Sequence, residues 1–171
     1  MKTWVAFLRA VNVGGTGMLA MADLRALCER AGFADVRTYI ASGNVVLRDA
    51  AGERQVKRTL EAALETHAGK PIGVMVRSGA ELAAVLAANP FAGAPPNRVM
   101  VTFLDAAPAA DALETVKYRT SERIALGKRE IYVDYSGVEG MGALRLQIPA
   151  AKSGTARNLN TVAKLAEMTK A

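Results

Sequence analysis

The spacing of hydrophobic and polar residues in the first part of the chain predicts alternating strands and helices. Residues 3–11 are almost wholly apolar, which is typical of a strand buried on both faces of a sheet. Apolar residues then recur at helical spacing from Met21 to Ala31, and Gly32 stands where the C-terminal cap of a helix belongs. Two short β-branched runs flank the turn Ser42-Gly43-Asn44, which indicates a hairpin.

A second helix and a fourth strand complete this pattern. The stripe from Val56 to His67 predicts a helix that begins at Glu53, and Pro71 prevents its continuation. Residues 72–76 predict the next strand. The order strand, helix, strand, strand, helix, strand is that of the ferredoxin-like βαββαβ arrangement.

The second half of the chain predicts fewer regular elements. We expect a short helix at 81–88, a strand at 99–104, a helix from 108 to about 117, a hairpin of 123–126 with 131–135, and a last helix from about 156 to 170. Residues 143–148 are compatible with either a strand or irregular structure. No internal repeat is evident in the sequence.

These elements predict an α+β fold in two parts. The N-terminal ferredoxin-like βαββαβ half, with a linker helix, occupies residues 1–92. A smaller, incomplete α/β half that ends in a helix occupies residues 93–171 and is expected to pack against the first. The boundary is placed by the loop that contains Gly93, Pro95 and Pro96.

Chain composition narrows the environment of the protein. No run approaches the roughly 18 apolar residues of a membrane helix, so we expect no membrane partner. The apolar run that begins at Trp4 is broken by Arg9 and Asn12, which favours a strand over a signal peptide. The single cysteine, Cys28, fits a reducing compartment, and a cytoplasmic location is therefore expected.

Net charge suggests a polyanion as one possible partner. The formal charge is +6 and the pI about 9.7. Neither half is a basic tail, because Lys and Arg exceed Asp and Glu by 11 to 8 in residues 1–90 and again in residues 91–171. Residues 140–166 contain no acid and four cations, namely Arg145, Lys152, Arg157 and Lys164. This acid-free segment is the region where nucleic acid would bind non-specifically.

Four separated motifs resemble one protein family. They are Arg9-Ala10-Val11-Asn12-Val13-Gly14-Gly15, Tyr39-Ile40-Ala41-Ser42-Gly43-Asn44-Val45-Val46, Asn89-Pro90-Phe91 and Gly154-Thr155-Ala156-Arg157-Asn158-Leu159-Asn160-Thr161-Val162. Together, and in this order, they resemble the domain-of-unknown-function family 1697 across the whole chain. The resemblance implies a compact bacterial α+β protein and brings no established activity, substrate or cofactor. The chain departs from the family pattern at Ala10, at Leu159 and at Ala143-Leu144, where the family often has glycine, an aromatic residue and a basic-serine pair.

A glycine-rich loop after the first strand allows three interpretations. The spacing Gly15-x-Gly17-x-x-Ala20 matches the dinucleotide-binding fingerprint, but the second strand ends in Ser42 without an acid to hold a ribose. The other two interpretations, both preferred to a dinucleotide site, are a turn that needs glycine and a cradle for a phosphate or other anion. No phosphate-binding P-loop motif occurs, and the third strand lacks the aromatic residues on which RNA-binding sheets stack bases.

The start of the last helix is a second candidate anion site. Ser153-Gly154-Thr155 offers caps, and Arg157 and Asn158 are expected in the first helical turn. Backbone N–H groups and a guanidinium there would hold a phosphate or carboxylate. The alternative is an ordinary cap with Arg157 bridging to a carboxylate of the other half.

The sequence offers little metal or nucleophile chemistry. His67, the only histidine, is expected to be a packed or half-exposed structural residue on its helix. Cys28 is expected to be an inert core residue. With one His and one Cys, the chain cannot form the usual zinc sites, and no Ser-His-acid or Cys-His pair is credible. We therefore assign no metal, no cofactor and no catalytic residue.

The sequence favours a binding protein for a small anionic, phosphate-bearing ligand held in a cleft between the halves. The candidate ligand-binding residues are Arg9, Asn12, Gly14, Gly15, Ser42, Asn44, Arg157, Asn158 and Thr161. The first alternative is non-specific nucleic-acid binding through the acid-free segment. An enzyme that acts on a phosphorylated metabolite is a further possibility, although no general base is evident near these residues.

Overall fold

A computed structural model describes residues 1–9, 19–40, 43–138 and 145–170. Four candidate site residues, Asn12, Gly14, Gly15 and Ser42, lie outside the described residues, as does most of the glycine-rich loop. No described helix has both the length and the apolar character that crossing a membrane requires.

The first sheet confirms the predicted ferredoxin-like half. Its strands are β1 (Lys2–Leu8), β2 (Ala34–Thr38), β3 (Asn44–Asp49) and β4 (Val74–Ser78), and helices α1 (Met21–Arg30) and α2 (Glu53–Ala68) connect them. The strand order is β2-β3-β1-β4, and every neighbouring pair is antiparallel. This order follows from the two crossovers through α1 and α2.

One face of this sheet packs against both helices. Trp4, Ala6 and Leu8 of β1 alternate inward and form a single core with buried side chains of α1 and α2. Helix α1 ends as its sequence predicts, because Gly32 has φ of +100° and its N–H donates to the Glu29 carbonyl at 3.1 Å.

A second four-stranded antiparallel sheet follows α3 (Gly79–Ala87). It contains β5 (Val99–Phe103), β6 (Arg123–Leu126), β7 (Glu130–Asp134) and β8 (Thr155–Asn158), and α4 (Leu159–Met168) follows β8. Its order is β6-β7-β5-β8. The predicted hairpin of β6 and β7 is confirmed.

The two sheets repeat one strand order, although no repeat is evident in the sequence. Strands β5, β6, β7 and β8 take the places of β1, β2, β3 and β4. The central strands carry the related runs Val5-Ala6-Phe7-Leu8 and Val101-Thr102-Phe103-Leu104. Short 3-10 turns at Ala112–Thr115 and Pro149–Ala151 occur where the first half has α1 and α2, so the second half is incomplete in its helices.

One predicted helix of the second half is wrong, and the predicted start of the last helix lies too early in the chain. The helix from 108 to 117 is only the 3-10 turn at Ala112–Thr115, and Lys117 instead exchanges two backbone hydrogen bonds of 2.9 Å with Gln147. The last helix begins at Leu159, because residues 155–158 form β8 and pair with β5. Burial alternates along β8 with the period of a strand. In the sequence this period is hard to recognise, because Ala156 favours a helix.

The chain divides into two compact units. Unit 1 comprises Met1–Leu82 with Lys164–Ala171, and unit 2 comprises Ala83–Ala163. Each unit contains one of the two sheets. The proposed domain boundary after residue 92 stays a prediction.

Candidate functional site

Two candidate residues meet at one end of the first sheet. The Leu8 N–H donates to the Gly43 carbonyl at 2.9 Å, and the Arg9 N–H donates to the Gly73 carbonyl at 2.9 Å. Asn44, the first residue of β3, pairs with Phe7. The end of β1, the hairpin turn and the start of β4 therefore lie together.

Asn44 is fixed in place by the hairpin itself. Its side chain is fully buried, and Nδ2 donates to the Tyr39 carbonyl at 3.0 Å. The Tyr39 N–H in turn donates to the Asn44 carbonyl at 3.1 Å. The Asn44 amide thus provides the hydrogen bond that the Tyr39 carbonyl requires, and its contribution to a site is to stabilise the conformation of the turn.

Arg157 lies in strand β8 and not, as predicted, in the first turn of α4. Its side chain is only 7% exposed, and Nη1 donates to Thr155 Oγ1 at 2.7 Å and to the Ala156 carbonyl at 2.9 Å. Burial lowers the pKa of Arg157 to about 10, so the guanidinium is a cation at neutral pH.

Asn158 provides the cap of α4. Its Oδ1 accepts a hydrogen bond of 3.0 Å from the N–H of Thr161, which is the usual geometry of an N-cap. Thr161 is buried. The caps predicted at Ser153-Gly154-Thr155 lie before the observed start of α4. Gly154 instead lies against the end of β5, and Thr155 begins β8.

The candidate residues thus form two groups. Arg9 and Asn44 share one end of the sheet of unit 1. Arg157, Asn158 and Thr161 share the junction of β8 and α4, in unit 2. Whether both groups serve one ligand stays a prediction.

The acid-free segment presents three of its four cations to solvent. Arg145, Lys152 and Lys164 are exposed, whereas Arg157 is buried. A surface for nucleic acid along this segment would therefore lack Arg157. The nucleic-acid alternative stays a prediction.

The two residues with potential metal or thiol chemistry are placed differently from each other. Cys28 is fully buried, and burial, followed by the charge of Glu29, raises the pKa of its thiol to about 12, which makes the thiol inert as predicted. His67 is exposed in the last turn of α2, off the buried stripe of Val56, Leu60 and Leu64. His67 is therefore not packed in the core, which leaves the exposed alternative of the prediction. Among the described residues, no three His, Cys, Asp or Glu side chains cluster as metal ligands.

Sequence reasoning missed a cavity on the second sheet. It has a volume of about 330 Å³, and its lining residues come from three strands and from the segment 146–152. The described lining residues are Met100, Thr102, Val133, Tyr135, Leu146, Gln147, Ile148, Ala151, Lys152 and Ala156. The alternation of Leu146 and Ile148 was the only signal in the sequence, and it was ambiguous between strand and irregular structure.

The chain belongs to the family described as protein of unknown function (DUF1697), which matches residues 1–132. A solved structure, the conserved bacterial protein SP0830 from Streptococcus pneumoniae, is similar over its full length. The two share 23% identity, with 100% of this chain and 99% of that chain covered and a TM-score of 0.80. This likeness shows the fold. None of the curated proteins matches the chain.

Proposed function

We propose that the protein binds a small anionic, phosphate-bearing ligand. The observation that carries this proposal is Arg157, a buried cation that immediately precedes Asn158, the cap of helix α4. A buried guanidinium loses its hydration and is strongly attracted to an anion. The N-terminus of a ten-residue helix adds backbone N–H groups and the positive end of the dipole.

Arg9 is the second cation of the proposed site. It follows the central strand β1 directly, and its aliphatic stem lies against Gly73, where a Cβ would approach Arg9 Cδ to 3.1 Å. This contact restricts the side chain at the end of the sheet. Asn12, Gly14, Gly15 and Ser42 belong to the loops that continue from this end, and we propose that they complete the anion cradle.

The remaining candidate residues support these two arginines. Asn44 holds the hairpin turn, and Asn158 with Thr161 fixes the start of α4. A site with its groups fixed before the ligand arrives loses less entropy on binding. We place the binding in the cytoplasm, since the chain carries a single buried cysteine and a thiol survives best in a reducing compartment.

A thermal-shift screen tests this function. The panel is orthophosphate, a hexose phosphate, a nucleoside monophosphate and a short single-stranded RNA. At ten times its dissociation constant a ligand stabilises the folded state by about 1.4 kcal/mol, so even millimolar binding raises the melting temperature. We expect one small phosphate compound to give a saturable increase.

Variants show where that ligand binds. Arg9→Gln and Arg157→Met are expected to abolish the increase, and Arg54→Gln, on the exposed side of α2, serves as the matched control that retains it. A salt-sensitive shift with RNA alone would instead favour nucleic-acid binding. A shift that both variants retain, or no shift with any compound, would contradict the proposal.

A further inference from the structure

We infer that unit 2 contains a second binding site, independent of the proposed phosphate site, that accepts a small amphiphilic carboxylate in the cavity of about 330 Å³ on the second sheet. The site lies wholly within residues 100–156. Its volume is at the lower end of the range of small-molecule pockets, which is roughly 300–1,000 Å³.

The cavity lies where the described residues of the second half have two 3-10 turns in place of the helices of the first half. Met100, Thr102, Val133 and Ala156 line it, and their strand pairing places all four on one face of the sheet. The equivalent positions of the first sheet are Trp4, Ala6, Leu47 and Val76, and all four lie in the core that α1 and α2 complete. In unit 2 the 3-10 turns at Ala112–Thr115 and Pro149–Ala151 occur where those helices are in unit 1, and a cavity remains above the strands.

Apolar side chains form most of the cavity wall. Met100 and Val133 line the cavity from the sheet, and Leu146 and Ile148, which pack against the cluster containing Val133, line it from the segment before β8. The wall is held in place, because Gln147 exchanges two backbone hydrogen bonds of 2.9 Å with Lys117. A preformed apolar wall of this kind binds an apolar ligand body through the hydrophobic effect.

Polar groups at the cavity favour an acidic head on that ligand. Among the described lining residues the one charged side chain is Lys152, which is exposed, and none is a carboxylate. The hydroxyl of Tyr135 remains a donor at neutral pH, because burial, followed by the charge of Glu122, raises its pKa.

Strand geometry separates this cavity from the proposed phosphate site. Ala156 lines the cavity and Arg157 is the next residue of β8, so their side chains point to opposite faces of the sheet. A ligand in the cavity therefore does not reach the Arg157 guanidinium. The two proposals can fail separately.

Methyl NMR of the full chain with octanoate as the probe tests the inference. We expect saturable shifts of the Val133, Leu146 and Ile148 methyl groups, and no shift of Val5 and Val46 in the first sheet. Octan-1-ol, which has the same apolar body without the charge, is expected to bind about fivefold more weakly, equivalent to one exposed charge interaction.

Two variants assign the two ends of the ligand. Lys152→Gln is expected to weaken octanoate binding about fivefold and to leave octan-1-ol binding unchanged, while Lys128→Gln, an exposed lysine in the turn between β6 and β7, changes neither. Ala151→Phe fills the cavity and is expected to abolish binding of both compounds. If Ala151→Phe does not fold, Ala156→Leu provides the same test from the strand side.

The inference is overturned if 10 mM octanoate shifts no methyl group, because a concentration on the order of 10 mM nearly saturates a site of millimolar affinity. It is also overturned if the shifts spread evenly over both sheets, or if Lys152→Gln leaves the preference for octanoate intact. Because the two proposed sites are independent, Arg9→Gln should leave octanoate binding unchanged.

Discussion

Arg77 and Arg157 occupy the same position in the two sheets. Arg77 of β4 pairs with Val5 of the central strand, and Arg157 of β8 pairs with Val101. Each guanidinium donates from Nη1 to the carbonyl of the residue before it, at 3.0 and 2.9 Å, and both side chains are buried.

The residues that follow the two arginines are also equivalent. Ser78 Oγ accepts a hydrogen bond of 3.1 Å from the Glu81 N–H at the start of α3, and Asn158 Oδ1 does the same for the Thr161 N–H at the start of α4. A buried arginine followed by a capping residue is therefore a repeated feature of this fold. Only the repeat in unit 2 was visible as a candidate from the sequence.

We predict that both arginines contribute to stability. Arg77→Ala and Arg157→Ala should each lower the free energy of unfolding by roughly 2–4 kcal/mol, because each change leaves a cavity and removes buried hydrogen bonds. The Met variants should cost about 1 kcal/mol, since Met refills the space of the aliphatic stem. Urea denaturation measures these free energies of unfolding. The control is Arg54→Ala, at an exposed position, which should stay within about 0.5 kcal/mol of the wild type. An alanine variant as stable as that control would contradict the prediction.

Gly154 is required by the close approach of two backbone segments. A Cβ at this position would lie 2.5 Å from the Phe103 carbonyl oxygen and 2.8 Å from Leu104 Cδ2. Gly154→Ala should therefore lower the free energy of unfolding by about 1–3 kcal/mol, as expected for overpacking against atoms that cannot move freely.

Gly93→Ala is the matched control for that substitution. A Cβ at Gly93 meets no atom within 4 Å, so this variant should be as stable as the wild type or slightly more stable. Equal stabilities of the two variants in urea would show that β5 and the segment before β8 can separate without cost.

Tyr132 should make the stability of the protein fall at alkaline pH. Burial, followed by the charge of Glu130, raises the pKa of Tyr132 from 10.0 to about 12, and its hydroxyl donates to the Val85 carbonyl at 2.7 Å. Since the unfolded chain loses this proton first, the contribution is complete below pH 10 and is lost as the pH rises toward 12.

The test compares Tyr132→Phe with Tyr118→Phe, which removes an exposed hydroxyl. Tyr132→Phe should be about 1 kcal/mol less stable at pH 8 and should lose less stability between pH 10 and 12 than the wild type. If the wild type and Tyr132→Phe lose the same stability at alkaline pH, groups other than Tyr132 cause that loss.

Asp134 should control part of the acid stability. Burial alone would raise the pKa of this carboxyl, but hydrogen bonds from Ser136 and the guanidinium of Arg123 outweigh it and lower the pKa below 3.8. The Ser136 N–H donates at 2.9 Å and Arg123 Nε at 2.8 Å. A lowered pKa stabilises the folded state at pH values above the unfolded pKa, and this stabilisation is lost as the pH falls through the folded pKa.

Asp134→Asn should therefore lower the free energy of unfolding by about 1–3 kcal/mol at pH 7. The difference from the wild type should narrow as the pH falls below 3.8. Asp111→Asn, at an exposed position, should behave as the wild type throughout. A difference that is independent of pH would mean that the ionised form of Asp134 is not what stabilises the fold.

The first half of the fold could be predicted because its helices and strands have complete local signals. Helix α2 carries a regular buried stripe, and α1 ends at Gly32 as its pattern indicates. The second half was harder, because β8 is four residues long and begins directly after a loop. Its strand character comes from pairing with β5, a long-range contact that a local pattern does not contain.

The candidate site was predictable only in part for a similar reason. The motif around Asn44 indicated the turn that the residue holds. The cap of α4 was expected at Ser153-Gly154-Thr155, with Asn158 in the first turn, whereas Asn158 is the cap. The burial of Arg157 could not be foreseen, because it depends on the face of β8 to which the side chain points. The cavity on the second sheet lies where the described residues have short 3-10 turns in place of helices, and no sequence motif marks such a replacement.

Unit 1 is built from two separate stretches of the chain, and this affects when it can fold during synthesis. Residues Lys164–Ala171 belong to unit 1 although 81 residues of unit 2 separate them from Leu82. A ribosome that adds about 5–20 residues per second needs roughly 4–16 seconds to synthesise the intervening unit. During that interval the nascent first unit lacks Lys164–Ala171, so it cannot complete its packing until unit 2 has been synthesised.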